Sequence, residues 1–212
     1  MTALYTDLKA RIVEVARLLE EKNLNHGRSG NISMRVPDSN HVLITPSGLV
    51  KSRLNTDDIV VIDTEGRVVE GRWKPSSEVN MHLAIYKARN DVNAIIHAHT
   101  VYSTVLAVAR KPLPPIIEEA VLFLGGEVRV AEFAPYGTVQ LAENVVRALG
   151  DRKAVLLASH GVVAVGGSLE EAVEVLSLLE RLSQVYVLSE ILTGGGTPVL
   201  HAGGQSSSRI LT

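Results

Sequence analysis

Ile32, Met34 and Val36 alternate with polar neighbours, and the chain then turns within residues 37–40 into a second extended run at 41–45. Side chains along a strand point to opposite faces in turn, so this period of two specifies a half-buried strand rather than a helix. Pro46-Ser47-Gly48 ends the second run. A third run follows at 58–63 (DIVVID), and Glu65-Gly66 turns it tightly into Val68 and Val69. Strands this close in sequence are expected to be neighbours in one sheet, and turns this short pair them antiparallel.

Around this block the period is that of a helix. Leu4, Leu8, Ile12, Val15 and Leu19 recur at steps of three or four, which predicts an amphipathic helix over 3–22. After Pro75, either Ser76 or Ser77 is placed to cap a helix running to about Ala88. Residues 94–99 read as a strand leading into a short helix near 101–109, which Pro112, Pro114 and Pro115 stop. Residues 127–133 alternate again, 138–149 are helical, and 154–159 form a buried type of strand. A return strand at 162–165 follows the turn at His160-Gly161. Ser168 and Glu171 make a capping box for the longest helix, through about Leu192. The expected fold class is therefore α/β: a single domain over 1–193, with a central, largely antiparallel β-sheet flanked by helices. Gly194-Gly195-Gly196 read as a helix stop, and 194–212 as a flexible polar tail.

The chain carries 21 basic and 23 acidic residues, a net charge of −2, which lends no support to nucleic-acid or membrane-surface binding driven by bulk charge. No apolar run reaches the roughly 18–20 residues of a membrane span. The charged N-terminal segment resembles neither a signal nor a transit peptide, so the expected location is cytoplasmic. Cysteine is absent, which excludes disulfides, thiolate metal sites and a cysteine nucleophile. A transition metal would have to use His, Asp or Glu.

Among the seven histidines, His97 and His99 lie two apart on a predicted strand. Both side chains then face one side, with their α-carbons roughly 6.5–7 Å apart. Two imidazoles at that spacing can converge on one cation, or can be unrelated polar residues at a strand end. His160 stands where another apolar strand turns, so it either points into a cleft or is satisfied within its turn. Three neutral imidazoles make a typical catalytic zinc set with one position left open. Glu78 falls in the first turn of a predicted helix, where carboxylates are common for helix-dipole reasons; a general base beside a metal is the other reading. Ser76 and Ser77 are ordinary caps or, with helix-start amides, an anion site. The turns 27–31 (GRSGN) and 45–48 (TPSG) are small and polar, and neither has the spacing of a Walker A loop or a dinucleotide fingerprint.

Taken in order, GNIS at 30–33, TPSG at 45–48, PSSE at 75–78, HAH at 97–99, APYGT at 134–138 and SHG at 159–161 resemble the class II aldolase/adducin family over about residues 5–192. The likeness is greatest to its branch acting on L-fuculose 1-phosphate and deoxypentulose phosphates. It implies a three-layer fold and one Zn2+ per chain, held by His97, His99 and His160. Glu78 would be the catalytic acid/base and a further ligand in the empty site. Gly30, Asn31, Ser47, Gly48, Ser76 and Ser77 would hold the phosphate of a small-molecule sugar phosphate. The implied assembly is a homotetramer with the site at a subunit interface. The implied reaction splits a ketose 1-phosphate into dihydroxyacetone phosphate and a short aldehyde. In it zinc acts as Lewis acid toward the enediolate, and Glu78 carries the proton.

Two places depart from the pattern. Where some of these enzymes have a tyrosine before a Gly-Gly pair, this chain has Glu118 or Glu119, and no tyrosine follows Tyr186. Glutamate there resembles the family's dehydratases. A sugar-phosphate 4-epimerase or dehydratase on the same fold, and a metal-free structural module like adducin's, therefore stand beside the aldolase reading.

Overall fold

The period-two segments pair as neighbours in one sheet. The computed structural model describes residues 2–200; His201 and the rest of the predicted tail lie outside the described residues. In chain order the elements are α1 (Thr2–Glu21), β1 (Asn31–Arg35), β2 (His41–Ile44), β3 (Val60–Asp63), β4 (Val68–Glu70), α2 (Val79–Ala88), β5 (Ala94–Ala98), α3 (Val101–Ala109), α4 (Glu118–Leu124), β6 (Val130–Ala131), α5 (Val139–Leu149), β7 (Ala154–Leu157), β8 (Gly161–Gly166) and α6 (Leu169–Thr193). The eight strands run β4-β3-β2-β1-β5-β8-β7-β6, antiparallel at every pairing except β6 with β7.

Helices cover both faces, giving the three layers. Ala94, Ile96 and Ala98 of β5 face α1, α3 and α6, while Ile95 faces α2 and α5 on the opposite side. Strands buried on both faces read as continuous apolar runs, as AIIHA and GVVAVG do. Each large aliphatic side chain fully buried there contributes about 1.5–3 kcal/mol, so the strands that carry the histidines belong to the most rigid part of the molecule.

Four local expectations are corrected. The helix after Pro75 starts at Val79, with Glu78 and neither serine in the N-cap position. Residues 75–76 stay extended because Pro75 bridges to Pro46 and Ser76 N donates to Thr45 O at 3.1 Å. Of the predicted strand over 127–133, only Val130 and Ala131 pair with β7 in the sheet, while Val128 bridges back to Leu113. The segment after the prolines holds the unforeseen α4. In the Ser168 cap, the hydroxyl accepts from Glu171 N at 3.2 Å, but the Glu171 carboxylate accepts from Gly167 N at 2.7 Å, one residue before the reciprocal partner a capping box requires. Gly194 ends α6 at φ +63°, as a glycine stop should.

Candidate active site

The two-residue periodicity of β5 sends His97 to the α2 side, and His99 follows just beyond the strand end. β5 pairs with β8, and the tight turn from β7 brings His160 alongside, with Ser159 in the left-handed region at φ +54°. The three ring centroids are 4.8–5.3 Å apart, and one nitrogen from each ring lies within 4.8 Å of the others. Gly161 makes this approach possible: a Cβ there would stand 2.6 Å from Ala98 O and 2.7 Å from His99 Cδ2.

The hydrogen bonds fix the ring orientation. His97 Nδ1 is 2.8 Å from Val162 O, and a carbonyl only accepts, so Nδ1 carries the proton. Nε2 of a neutral His97 then turns a lone pair toward His99 Nε2 at 3.1 Å and Glu78 Oε2 at 3.0 Å. Glu78 Oε1 is buried, has no hydrogen-bond partner among the described residues and lies 3.5 Å from His160 Nε2. Acceptors converging in this way are matched by a cation at their centre. The donor set therefore fits a metal, with a backbone carbonyl orienting one ring from behind.

Electrostatics agree. Partial burial, with the imidazoles of His97 and His160 beside it, pushes His99 down to about 4; burial and His97 also lower His160. Both are neutral near pH 7, as metal ligation requires. Burial alone would raise the Glu78 carboxyl; positive charge at His97 and His160, as a proton or as a cation among the rings, and the Asn31 amide hold it well below the ordinary carboxylate range. Its side chain makes no cap hydrogen bond to its own helix.

One cavity of about 320 Å3 is lined by Gly30, Asn31, Ser47, Gly48, Ser76, Ser77, Glu78, His99 and His160, so turns remote in sequence meet beside the histidines. Gly30 is at φ +67°, and a Cβ there would strike His97 O at 2.5 Å. Arg28, Lys51 and Tyr136 also line the cavity. The sequence marks Tyr136 only through APYGT, and nothing in it reveals that Lys51 is buried. Neither Glu118 nor Glu119 lines this cavity within the chain; Glu119 borders a separate one of about 260 Å3 with Glu171, Glu174 and Arg181.

The family described as "Class II Aldolase and Adducin N-terminal domain" matches residues 10–187. The chain belongs to this family. It is 38% identical over 179 residues to a 5-methylthioribulose-1-phosphate/5-deoxyribulose-1-phosphate aldolase of Rhodospirillum rubrum, covering 84% of this chain and 80% of the relative. It is 36% identical over 186 residues to the L-fuculose phosphate aldolase of Escherichia coli K12, covering 88% and 85%. A solved L-fuculose 1-phosphate aldolase superposes with a TM-score of 0.87 at 42% identity, covering 92% of this chain and 91% of the other. The class II aldolase fold and the three-histidine site expected from the motifs are thus present, and the chain is an enzyme of the aldolase type.

Proposed function

We propose that the chain is a zinc-dependent aldolase that cleaves and forms a ketose 1-phosphate of the L-fuculose or deoxyribulose kind, giving dihydroxyacetone phosphate and a short aldehyde. The observation that carries this is the convergence of unprotonated imidazole nitrogens and the Glu78 carboxylate in a cavity rimmed by hydroxyl and glycine turns. Three nitrogens without thiolate suit zinc with a position open to substrate. Bound zinc supplies Lewis-acid stabilisation of the charge developing on the ketose oxygens. His97, His99 and His160 would hold it, with Glu78 as a further ligand. Glu78 then takes and returns the proton at the ketose carbon. Gly30, Asn31, Ser47, Gly48, Ser76 and Ser77 bind the phosphate through neutral donors.

The same reading includes a homotetramer with the site at a subunit interface. Exposed Val101, Val105 and Val108 on α3, exposed Tyr136 on the cavity, and exposed Phe133 and Val139 within three residues of it in sequence support it. A neighbouring copy would supply the acid serving the aldehyde, with Glu118 or Glu119 the candidates. The reading also includes a cytoplasmic location; no helix among the described residues is long and apolar enough to cross a membrane.

Metal analysis combined with aldol-cleavage assays on ketose 1-phosphates tests this. One zinc per chain and two carbon fragments are expected. Glu78→Gln should keep its metal and lose roughly 10²–10⁴-fold in kcat, along with the exchange of dihydroxyacetone phosphate protons into solvent. Full metal occupancy after His99→Ala sinks the ligand assignment. A product of unchanged mass, or one short of a water, replaces the aldolase with the epimerase or dehydratase.

A further inference from the structure

From Asn31 and Glu78 at the cavity wall, a line of polar side chains runs inward and interlocks β1 with α2. Asn31 and Ser33 occupy one face of β1 by the period of two, and Glu78, His82 and Tyr86 recur every four residues along α2. His82 and Ser33 are wholly buried, and Asn31 and Tyr86 almost so. Tyr86 Oη is 2.8 Å from Ser33 Oγ, Ser33 Oγ is 2.6 Å from His82 Nδ1, His82 Nε2 meets Asn31 Oδ1, and Asn31 Nδ2 is 3.0 Å from Glu78 Oε2.

The proton positions follow from the ends of this line. The Glu78 carboxylate only accepts, so Asn31 must present its NH2 there and its carbonyl to His82. His82 Nε2 therefore carries the hydrogen. Burial pushes His82 down to about 3, so it is neutral and its Nδ1 accepts from the Ser33 hydroxyl. Ser33 Oγ in turn accepts from Tyr86. Four hydrogen bonds thus all donate in one direction and end on Glu78. Arg35 closes the far end, with its guanidinium 4.7 Å above the Tyr86 ring.

We propose that His82 is a positioning residue for the reaction: it locks the Asn31 amide in the one orientation that donates to Glu78, and so holds that carboxylate against the histidines. Without the His82 donor, the amide is free to flip and present its carbonyl to the carboxylate, which repels it. This rests on Glu78 as the proton carrier.

Two amide substitutions of different reach test it. In His82→Gln the amide nitrogen reaches the Nε2 position and still donates to Asn31. In His82→Asn it reaches only the Nδ1 position. We expect His82→Asn to keep its metal and lose roughly 10–100-fold in kcat, the scale of removing a supporting hydrogen bond behind a metal site. KM should change far less, and His82→Gln should recover most of the loss. In a Glu78→Gln background, His82→Asn should cost nothing further, because the two act through one group. Equal losses in the Gln and Asn variants, or wild-type kcat in both, overturn the proposal. If His82→Asn does not fold, Ser33→Ala carries the test. It removes the bond that fixes the His82 tautomer and should lower kcat with little change in KM; an unchanged kcat overturns the proposal. Full activity in Glu78→Gln alone would instead refute the proton-carrier reading, which keeps the two failures distinct.

Discussion

Lys51 turns its ammonium inward: Nζ lies 3.0 Å from Leu49 O, 3.1 Å from Arg28 O and 3.4 Å from Pro46 O, and the residue is only 4% exposed. Three donors on three carbonyls tie the 27–30 turn to the 46–49 turn, the two walls that would cradle a phosphate. Burial pushes Lys51 down to about 8 from 10.5. The unfolded chain keeps this proton up to about 10.5, so the cost of burying the charge is present below 8 and relieved as pH rises from 8 to 10.5. Stability should therefore not fall over that window, while the positive charge beside the cavity disappears. Inhibition by inorganic phosphate, measured between pH 7.5 and 9.5, should weaken through about pH 8. In Lys51→Met it should be weaker throughout and flat with pH. A wild-type affinity that stays flat would show that Lys51 supplies no charge to the phosphate. A single lysine letter reveals neither its burial nor its carbonyl partners, whereas the two-residue spacing of His97 and His99 already contains their shared face.

At the scale of elements, the β7–β8 turn and the end of β5 are packed so closely that Gly161 cannot carry a side chain. The methyl of Gly161→Ala meets backbone at Ala98 O, which cannot rotate away, and His99 and His97 next. Overpacking of this kind costs about 1–3 kcal/mol. We expect a lowered denaturation midpoint together with lost metal content, read by calorimetry and metal analysis. Gly194→Ala makes the comparison: Gly194 lies at positive φ, which Gly161 does not, but has nothing within 4 Å, so the change should leave the metal in place. Metal bound normally by Gly161→Ala would mean that the histidine cluster is not held by this packing. Elements with a strong period were legible in the sequence, including α1, β1, β2, α5 and α6. α4 was not, because its apolar Val121, Leu122 and Phe123 lie on the exposed side and leave only Ala120 and Leu124 buried. The start of α2 was misplaced because a tertiary bridge, Pro46 to Pro75, holds the chain extended through Ser76, and no local propensity encodes that bridge. The candidate site was legible as motifs in order; the His82 line behind it was not, because its bonds join β1 to α2 across residues 31–86.

At the scale of the whole molecule, a fully buried neutral histidine makes folding sensitive to acid. His82 sits near 3 in the folded chain against 6.5 when unfolded. Below pH 6.5 the unfolded chain takes up a proton that the folded chain refuses until about 3. The stability linked to His82 is thus fully present above 6.5 and lost as pH falls through that window, at about 1.36 kcal/mol per pH unit for one proton. Asp91, held near 2 by Arg89, acts lower: its contribution is present above 3.8 and lost as pH falls through 2. Between pH 6.5 and about 5 the loss therefore belongs to histidines, with His99 and His160 adding to it in the same direction; near 4.5 Glu78, lowered in the fold, joins them. Denaturant midpoints of the metal-free protein should be flat from pH 8 to 7 and fall from 6.5 to 4. In His82→Gln the fall should be shallower by one proton, leaving the share of the other histidines. Parallel profiles for the two proteins would mean that His82 is protonated in the fold. Nδ1 would then donate to Ser33, and the one-way line of hydrogen bonds onto Glu78 would be broken. Metal should steepen the wild-type profile, because zinc favours the folded chain by mass action and protons compete for the same imidazoles. That added slope should persist in His82→Gln, since His82 is not among the groups that converge on the metal.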